Sequence, residues 1–376
     1  MKATVKMIAA SAMFAFAAPA FAGGVTVAEN GDSKLKVESL FYLNTTAHKA
    51  DTNGVTQTKD TGLAVDRAYL TLKYSFNSDW MMRFTTDVES KAGGLTGKKQ
   101  NIYLKYAYVE GKLAGDAAVL RLGQSHTPWI DYEQGLWKHR YVSKVMSDNF
   151  KFDDSSDLGI GLKGKLADGM VGYWVTETTG AGYGNGAGST NGMDLNARIG
   201  IYPIEGLTLD VQFRDGYRGS KTFTGGAATA GVKSTMYQVM ATYGMGHDFR
   251  VGVNYLSNKD KARSAAVSTA HGGAVSSGFA TAALNDEVKS TGYGVWGWAK
   301  FAENFGAFGR YENLKNSLNG GTKEKVTHYV AGVDYAVTKG VTFGLAFDSS
   351  KLTNRAGTAG QTRKDTRYGL YTQVAL

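Results

Sequence analysis

The sequence predicts an all-β fold: one antiparallel β-barrel of about sixteen strands that crosses a membrane. Three observations carry this: an export-type N-terminus, apolar/polar alternation with period two, and connections that alternate between short and long.

The N-terminus comes first. Lys2 and Lys6 supply a positive segment, Met7 to Ala18 is mostly apolar and small, and Pro19 ends any helix that run could form. Ala20-Phe21-Ala22 supplies the small residues a signal peptidase needs. Residues 1–22 are therefore expected to be a cleaved signal peptide and 23–376 the barrel. A membrane anchor fits less well, because the apolar run is shorter than the ~20 residues a spanning helix requires.

Composition agrees. The 376 residues include 49 Gly, 21 Tyr and 17 Phe, but 3 Pro and no Cys. A soluble chain usually carries ~5% Pro. Net charge is +9, of which Lys2 and Lys6 contribute two, with no acid in 1–22 to offset them. A basic balance can point to nucleic acid, but export argues against that partner and favours a surface or lumen that attracts anions.

The strands follow in order. In Arg67-Ala68-Tyr69-Leu70-Thr71-Leu72-Lys73-Tyr74 the even positions suit lipid and the odd ones water. Met82, Phe84, Thr86 and Val88 alternate likewise with Arg83, Thr85, Asp87 and Glu89, after the turn Phe76-Asn77-Ser78-Asp79. Strands are expected at 34–44, 64–75, 80–90, 99–110, 117–124, 157–165, 169–178, 192–202, 207–216, 234–243, 249–257, 288–301, 304–313, 326–336, 341–349 and 366–376. Short connections fall at 77–79, 111–116, 166–168, 203–206, 244–248, 302–303 and 337–340. Long ones fall at 45–63, 91–98, 125–156, 179–191, 217–233, 258–287, 314–325 and 350–365. One-sided loop length of this kind marks bacterial outer-membrane barrels and separates them from soluble sandwiches and propellers. Tyr74 with Trp80, Tyr106 with Tyr108, and Tyr335 with Phe343 would sit at the headgroup zones. In 288–301, Trp296 and Trp298 share a face with Gly292 and Gly294; either face could meet lipid. The last strand places Tyr368, Leu370, Val374 and Leu376 on one face. It resembles the C-terminal signature of outer-membrane proteins, with Leu376 where Phe or Trp is usual.

Two further stretches carry a family resemblance. Asp66-Arg67-Ala68-Tyr69-Leu70-Thr71-Leu72, followed by Asp79-Trp80-Met81-Met82-Arg83-Phe84, resembles the early hairpin of the phosphate-selective porin family. Arg121-Leu122-Gly123-Gln124-Ser125-His126-Thr127-Pro128-Trp129 is similar to that family's strand-plus-loop segment. The resemblance covers about residues 62–130 and is architectural beyond. It implies a sixteen-stranded homotrimer. The family's phosphate-specific residues do not align one by one here, so that specificity does not carry over.

Sixteen strands enclose water rather than a packed core. Trimeric porins narrow such a lumen with the loop after the fifth strand. Here that connection is 125–156, the longest in the chain, with two Trp and two Tyr between His126 and Tyr141. A solvated loop would hold fewer large aromatics, so it is expected inside the barrel as a constriction; an external flap or a contact onto a neighbouring subunit is the other possibility. Its candidate residues are Trp129, Asp131, Glu133, Lys138, Arg140 and Lys144, the three cations facing the two acids. Strand parity points Arg67, Lys73, Arg83, Lys105, Arg121, Arg198, Arg214, Arg250, Arg310 and Arg367 inward. The inward acids are Glu38, Asp87, Glu89, Asp210, Glu312, Asp334 and Asp348. Base outnumbers acid, which favours anions mildly.

His-Glu-x-x-His, Gly-x-Ser-x-Gly and P-loop patterns do not occur, and six dispersed His with no Cys make no tight metal site. Gly180 to Gly192 reads as a flexible external loop, not a phosphate cradle. The expectation is thus a non-enzymatic channel without cofactor or metal. It would lie in outer-membrane lipid, form a homotrimer, and pass small hydrophilic solutes and ions by diffusion, with no nucleic-acid partner. A substrate-specific channel for phosphate or an organic anion, and a surface adhesin or receptor barrel, are the alternatives.

Overall fold

Lipid offers no partner to backbone N–H and C=O, so a sheet that spans it must close on itself. The computed structural model describes residues 23–88, 101–183, 193–218, 222–224, 227–229, 232–261 and 286–376. The expected signal peptide 1–22 and the connection 91–98 lie outside the described residues, as do parts of the connections 179–191, 217–233 and 258–287.

The first half of the chain holds β1 (Val25–Asn30), β2 (Ser33–Thr52), β3 (Val55–Ser75), β4 (Trp80–Val88), β5 (Ile102–Ala114) and β6 (Ala118–His126). Two short helices follow, α1 (Ile130–Trp137) and α2 (Met146–Asn149), then β7 (Ser156–Leu166), β8 (Val171–Thr178), β9 (Asp194–Ile201) and β10 (Leu207–Arg218). A small ribbon of β11 (Thr222–Thr224) and β12 (Ala227–Thr229) stands apart. The rest is β13 (Val232–Met245), β14 (Phe249–Lys261), β15 (Glu287–Ala302), β16 (Phe305–Leu318), β17 (Glu324–Thr338), β18 (Val341–Thr353) and β19 (Thr362–Ala375).

Sixteen strands form one antiparallel meander. Each pairs with its chain neighbour, β10 passes to β13, and β19 returns to β2 from Arg363↔Thr52 to Ala375↔Leu40. That last ladder closes the ring of sixteen strands and leaves none of them with an open edge among the described residues. The large sheet has 17 strands in all; the extra one is β1, which folds onto the start of β2.

The faces alternate as the residues dictate. Leu70, Leu72, Met82 and Phe84 point out and are exposed, while Arg67, Tyr69, Thr71, Arg83 and Thr85 are buried inside. In β15 the ambiguity resolves: Tyr293 and Val295 face out, Trp296 and Trp298 face in. The lumen-side glycines make room. A Cβ at Gly252 would meet the Trp296 ring at 2.4 Å, and one at Gly294 would meet Met146 of α2 at 3.1 Å.

Three of the long connections change, and one strand is added. The connection 45–63 is not a long loop: β2 and β3 run on for 20 and 21 residues and meet at Asn53-Gly54. Both turn residues have positive φ (50° and 80°), as a tight two-residue hairpin turn demands. The connections 314–325 and 350–365 likewise shorten to 319–323 and 354–361. Beyond the bilayer both faces of a strand are wet, so the ladder continues after the apolar alternation has stopped. For the same reason β1, exposed along its whole length, left no period-two trace.

Candidate channel lumen

The segment 125–156 folds into the barrel. Its entry is fixed by His126, whose ring stacks on Tyr106 at 4.0 Å between centroids, and by the Tyr106 hydroxyl donating to Asp131 at 2.8 Å. Along α1, Trp129 donates to Glu133 (2.7 Å), which also accepts from Asn254 of β14 (2.9 Å). Tyr132 donates to Asp210 of β10 (3.0 Å) and lies under the Arg198 guanidinium, 3.6 Å from its ring. The helix ends on Lys138 in a left-handed conformation, φ 63°. Trp137 then packs edge-on against Trp296 (5.9 Å) and Phe308 (6.0 Å), and Trp298 donates to the Leu136 carbonyl (2.9 Å). His139 stacks on Phe308 and bonds Asp334 of β17 at 2.6 Å. The loop therefore touches inward side chains of β5, β10, β14, β15, β16 and β17.

Past α1 the segment turns on one carboxylate. Asp148 accepts from Gln134 (2.9 Å) and Arg140 (3.1 Å) and pairs with Lys144 (3.5 Å). Burial alone would raise the Asp148 pKa; Lys144, Arg140 and Lys151 overcome this and hold it far below the usual carboxylate range. Glu133 shows the opposite balance, since burial carries it up to about 7 against the opposing pull of Arg310. Burial, then Arg250 and Lys300, bring Lys138 down to about 8.

Beside the loop lies a cavity of about 1050 Å³. Arg140, Tyr141 and Lys144 bound it on the loop side; Tyr42, Arg67 and Asp87 bound it on one stretch of wall, and Asp348, Arg363 and Arg367 on another. The side chains of Lys144, Arg363 and Arg367 are 39%, 40% and 44% exposed. Arg363 and Arg367 have Asp365 as shared partner, each only at 3.9 Å, and Asp365 is already bonded to His48 at 3.1 Å. Asp348, opposite Arg367 in the ladder, is taken by His328 at 2.9 Å.

The expected site residues thus separate into groups. Arg67 and Arg367 line the cavity with Arg140 and Lys144. Arg198, Arg214 and Arg310 are sealed under the loop. Arg198 pairs with Asp210 (2.7 Å), Arg214 donates to the Phe152 carbonyl, and Arg310 donates to the Lys144 carbonyl (2.5 Å). Lys105 is also covered, bonded to Ser155 (2.6 Å). Arg83 stacks on Tyr106, Arg121 is held by Glu110 (2.5 Å), Lys73 by Glu38 (2.7 Å), and Arg250 bonds Thr242 (2.8 Å). Asp131 and Glu133 of α1, and Trp129 just before it, are packing residues, so Asp148 and not Asp131 or Glu133 answers Arg140 and Lys144. Glu89 lies outside the described residues. Sequence reasoning passed over Asp148 and Arg363. Arg363 shares parity with Arg367, and extending that strand by three residues would have found it; Asp148 carried no signal.

No protein-family model matches the chain, and no curated protein matches it. Solved structures do. The anion-selective porin of Comamonas acidovorans superposes with a TM-score of 0.62 at 12% identity, covering 92% of this chain and 100% of that one. The outer-membrane channel DcaP of Acinetobacter baumannii gives 0.60 at 13% identity, covering 94% and 100%. Outer-membrane-expressed OmpT of Vibrio cholerae gives 0.60 at 11%, covering 93% and 99%. In fold, this chain is a sixteen-stranded barrel of the kind found in outer-membrane porins.

Proposed function

We propose that the protein is an outer-membrane channel, exported by residues 1–22, through which small hydrophilic solutes and ions diffuse passively. The observation that carries this is a wide closed barrel with 125–156 folded against its inner wall, beside a cavity bordered by solvated cations. Nothing in the mechanism needs a cofactor, a metal or an enzymatic step. The loop narrows the lumen, and water fills what it leaves. Lys144, Arg363 and Arg367 give the passage a mild preference for anions. Most other inward cations are offset by Glu38, Asp87, Glu110 and Asp210 or covered by the loop, so they contribute little; Arg250, half-buried against the Thr242 hydroxyl, is the exception. Likeness to an anion-selective porin in fold, and the resemblance of 62–130 to phosphate-selective porins, support this reading and a homotrimer.

Reversal potential across a planar bilayer in a KCl gradient tests the proposal. Open steps with an anion-selective potential are expected. Absence of steps overturns the channel, and a cation-selective potential overturns the lumen assignment.

A further inference from the structure

The outer face of the barrel repeats one arrangement at its long-loop rim. On β16 to β19, Lys315, Lys325, Lys351 and Lys364 all point outward and are exposed. Each stands four residues along its strand from an outward aromatic: Tyr311, Tyr329, Phe347 and Tyr368 in turn. A hydroxyl or amide residue separates the two on the same face. At ~3.4 Å per residue, the lysines stand about 14 Å beyond the aromatic band along the strand. Aromatic rings settle at the headgroup level of a bilayer, so the lysines reach the charged layer above it.

The register makes this more than a scatter of surface lysines. Lys315 is paired directly with Lys325, and Lys351 directly with Lys364. The row continues through the directly opposed pair Lys49 and Lys59 on one side and Lys259 and Lys289 on the other. Like charges set opposite each other across antiparallel strands are destabilising. Elsewhere in the row acids relieve this: Glu287 serves Lys259 (2.7 Å) and Lys289 (3.1 Å), and Asp51 serves Lys49 (2.9 Å). Asp51, already paired with Lys49, also stands opposite Lys364 in the ladder; among the described residues no carboxylate lies within ion-pair distance of Lys315, Lys325 or Lys351. Four cations at one height, above a membrane-facing aromatic band and with one shared carboxylate among them, call for an anion supplied from outside the chain. A second copy presenting the same rim would add cations, not remove them.

We infer that the outer rim of β16 to β19 is a docking surface for the phosphate groups of an outer-leaflet glycolipid, held by Lys315, Lys325, Lys351 and Lys364. The inference rests on the outer-membrane reading above, which sets the long-loop rim outside. The full chain, refolded in neutral detergent, is titrated with bisphosphorylated lipid A, dephosphorylated lipid A and inorganic phosphate, with binding read by native mass spectrometry. Phosphorylated lipid A is expected to bind at least about tenfold tighter than the dephosphorylated form. Replacing all four lysines (K315Q/K325Q/K351Q/K364Q) is expected to weaken it several hundredfold, about fivefold for each lysine at an anionic surface. K112Q/K300Q/K339Q, at the opposite rim, is expected to bind as the parent does. Equal binding of the two lipids overturns the inference without any variant having to fold. So does full binding by the quadruple variant, or displacement of the lipid by an equal concentration of free phosphate. A chain that binds the lipid but never conducts sinks the channel and spares this inference; a conducting chain indifferent to headgroup phosphate does the reverse.

Discussion

Glu133 and Asp148 belong to the same loop, and burial pulls both the same way, yet their acidities part. Asp148 has two cations within 3.5 Å, Arg140 and Lys144. Glu133 has donors that are neutral, Trp129 and Asn254, and the more distant Arg310 does not overcome its desolvation. The signs follow. Asp148 is depressed in the fold, so its stabilisation is complete above the unfolded carboxylate range near ~4 and fades only well below it. Glu133 is raised to about 7, so its contribution is complete below ~4.3 and is lost as pH climbs to 7. Loop packing is therefore expected to loosen between about pH 5 and 7, seen as rising open-channel noise. Glu133→Gln should flatten that dependence, because the Asn254 amide can turn its unpartnered oxygen toward the new NH₂ group. A noise profile unchanged by the substitution would remove Glu133 as the cause. Asp148→Asn leaves Arg140 buried without its carboxylate, which costs ~3–5 kcal/mol when a buried pair loses one partner. It also frees Lys144, so the reversal potential should move further toward anions. A shift toward cations would show that Asp148 does not screen them.

At the scale of elements, the strands were legible because lipid on one side and water on the other impose period two. Leu70 and Leu72 against Arg67 and Thr71 had no other arrangement open to them. Legibility ended where the outer medium changes: the far ends of β2 and β3 sit in water on both faces and look like loop. The loop itself was legible as an inward element from its Trp and Tyr residues. Which wall it would lie on was not, and that placement decides that Arg198 and Arg214 are sealed while Arg367 stays open. Trp137 fixes the placement, wedged between Trp296 and Phe308 with the Arg310 guanidinium 4.0 Å from its ring. Trp137→Ala removes ~3–5 kcal/mol of packing from the loop and leaves every ladder hydrogen bond intact. The barrel should keep its heat-dependent gel mobility while single-channel conductance grows and becomes noisy. Deleting 130–145 should raise conductance further. Conductance unchanged in both would place the loop outside the conduction path.

At the scale of the whole molecule, the charge that matters is what remains after internal pairing. The formal excess of +9 says little, because most inward cations have a carboxylate, a carbonyl or a ring against them. Field lines in a low-dielectric wall focus on the charges still in water, and here those are Arg363 and Arg367 on β19, with Lys144 across the gap partly offset by Asp148. The double variant Arg363→Gln/Arg367→Gln removes two of the three without touching the loop or a close ion pair. Its reversal potential in a KCl gradient should fall to near zero or turn cation-selective, with conductance changed by less than about twofold, since water still fills the passage. As a counter-test, Arg198→Gln alters an equally basic residue that is sealed under Tyr132. It should weaken the fold, as loss of a buried partner of Asp210 does, yet leave selectivity of the folded fraction alone. If Arg198→Gln shifts the potential as far as the β19 double variant, selectivity is set by total lumen charge and not by the solvated cations. The barrel would then act as a uniformly charged tube.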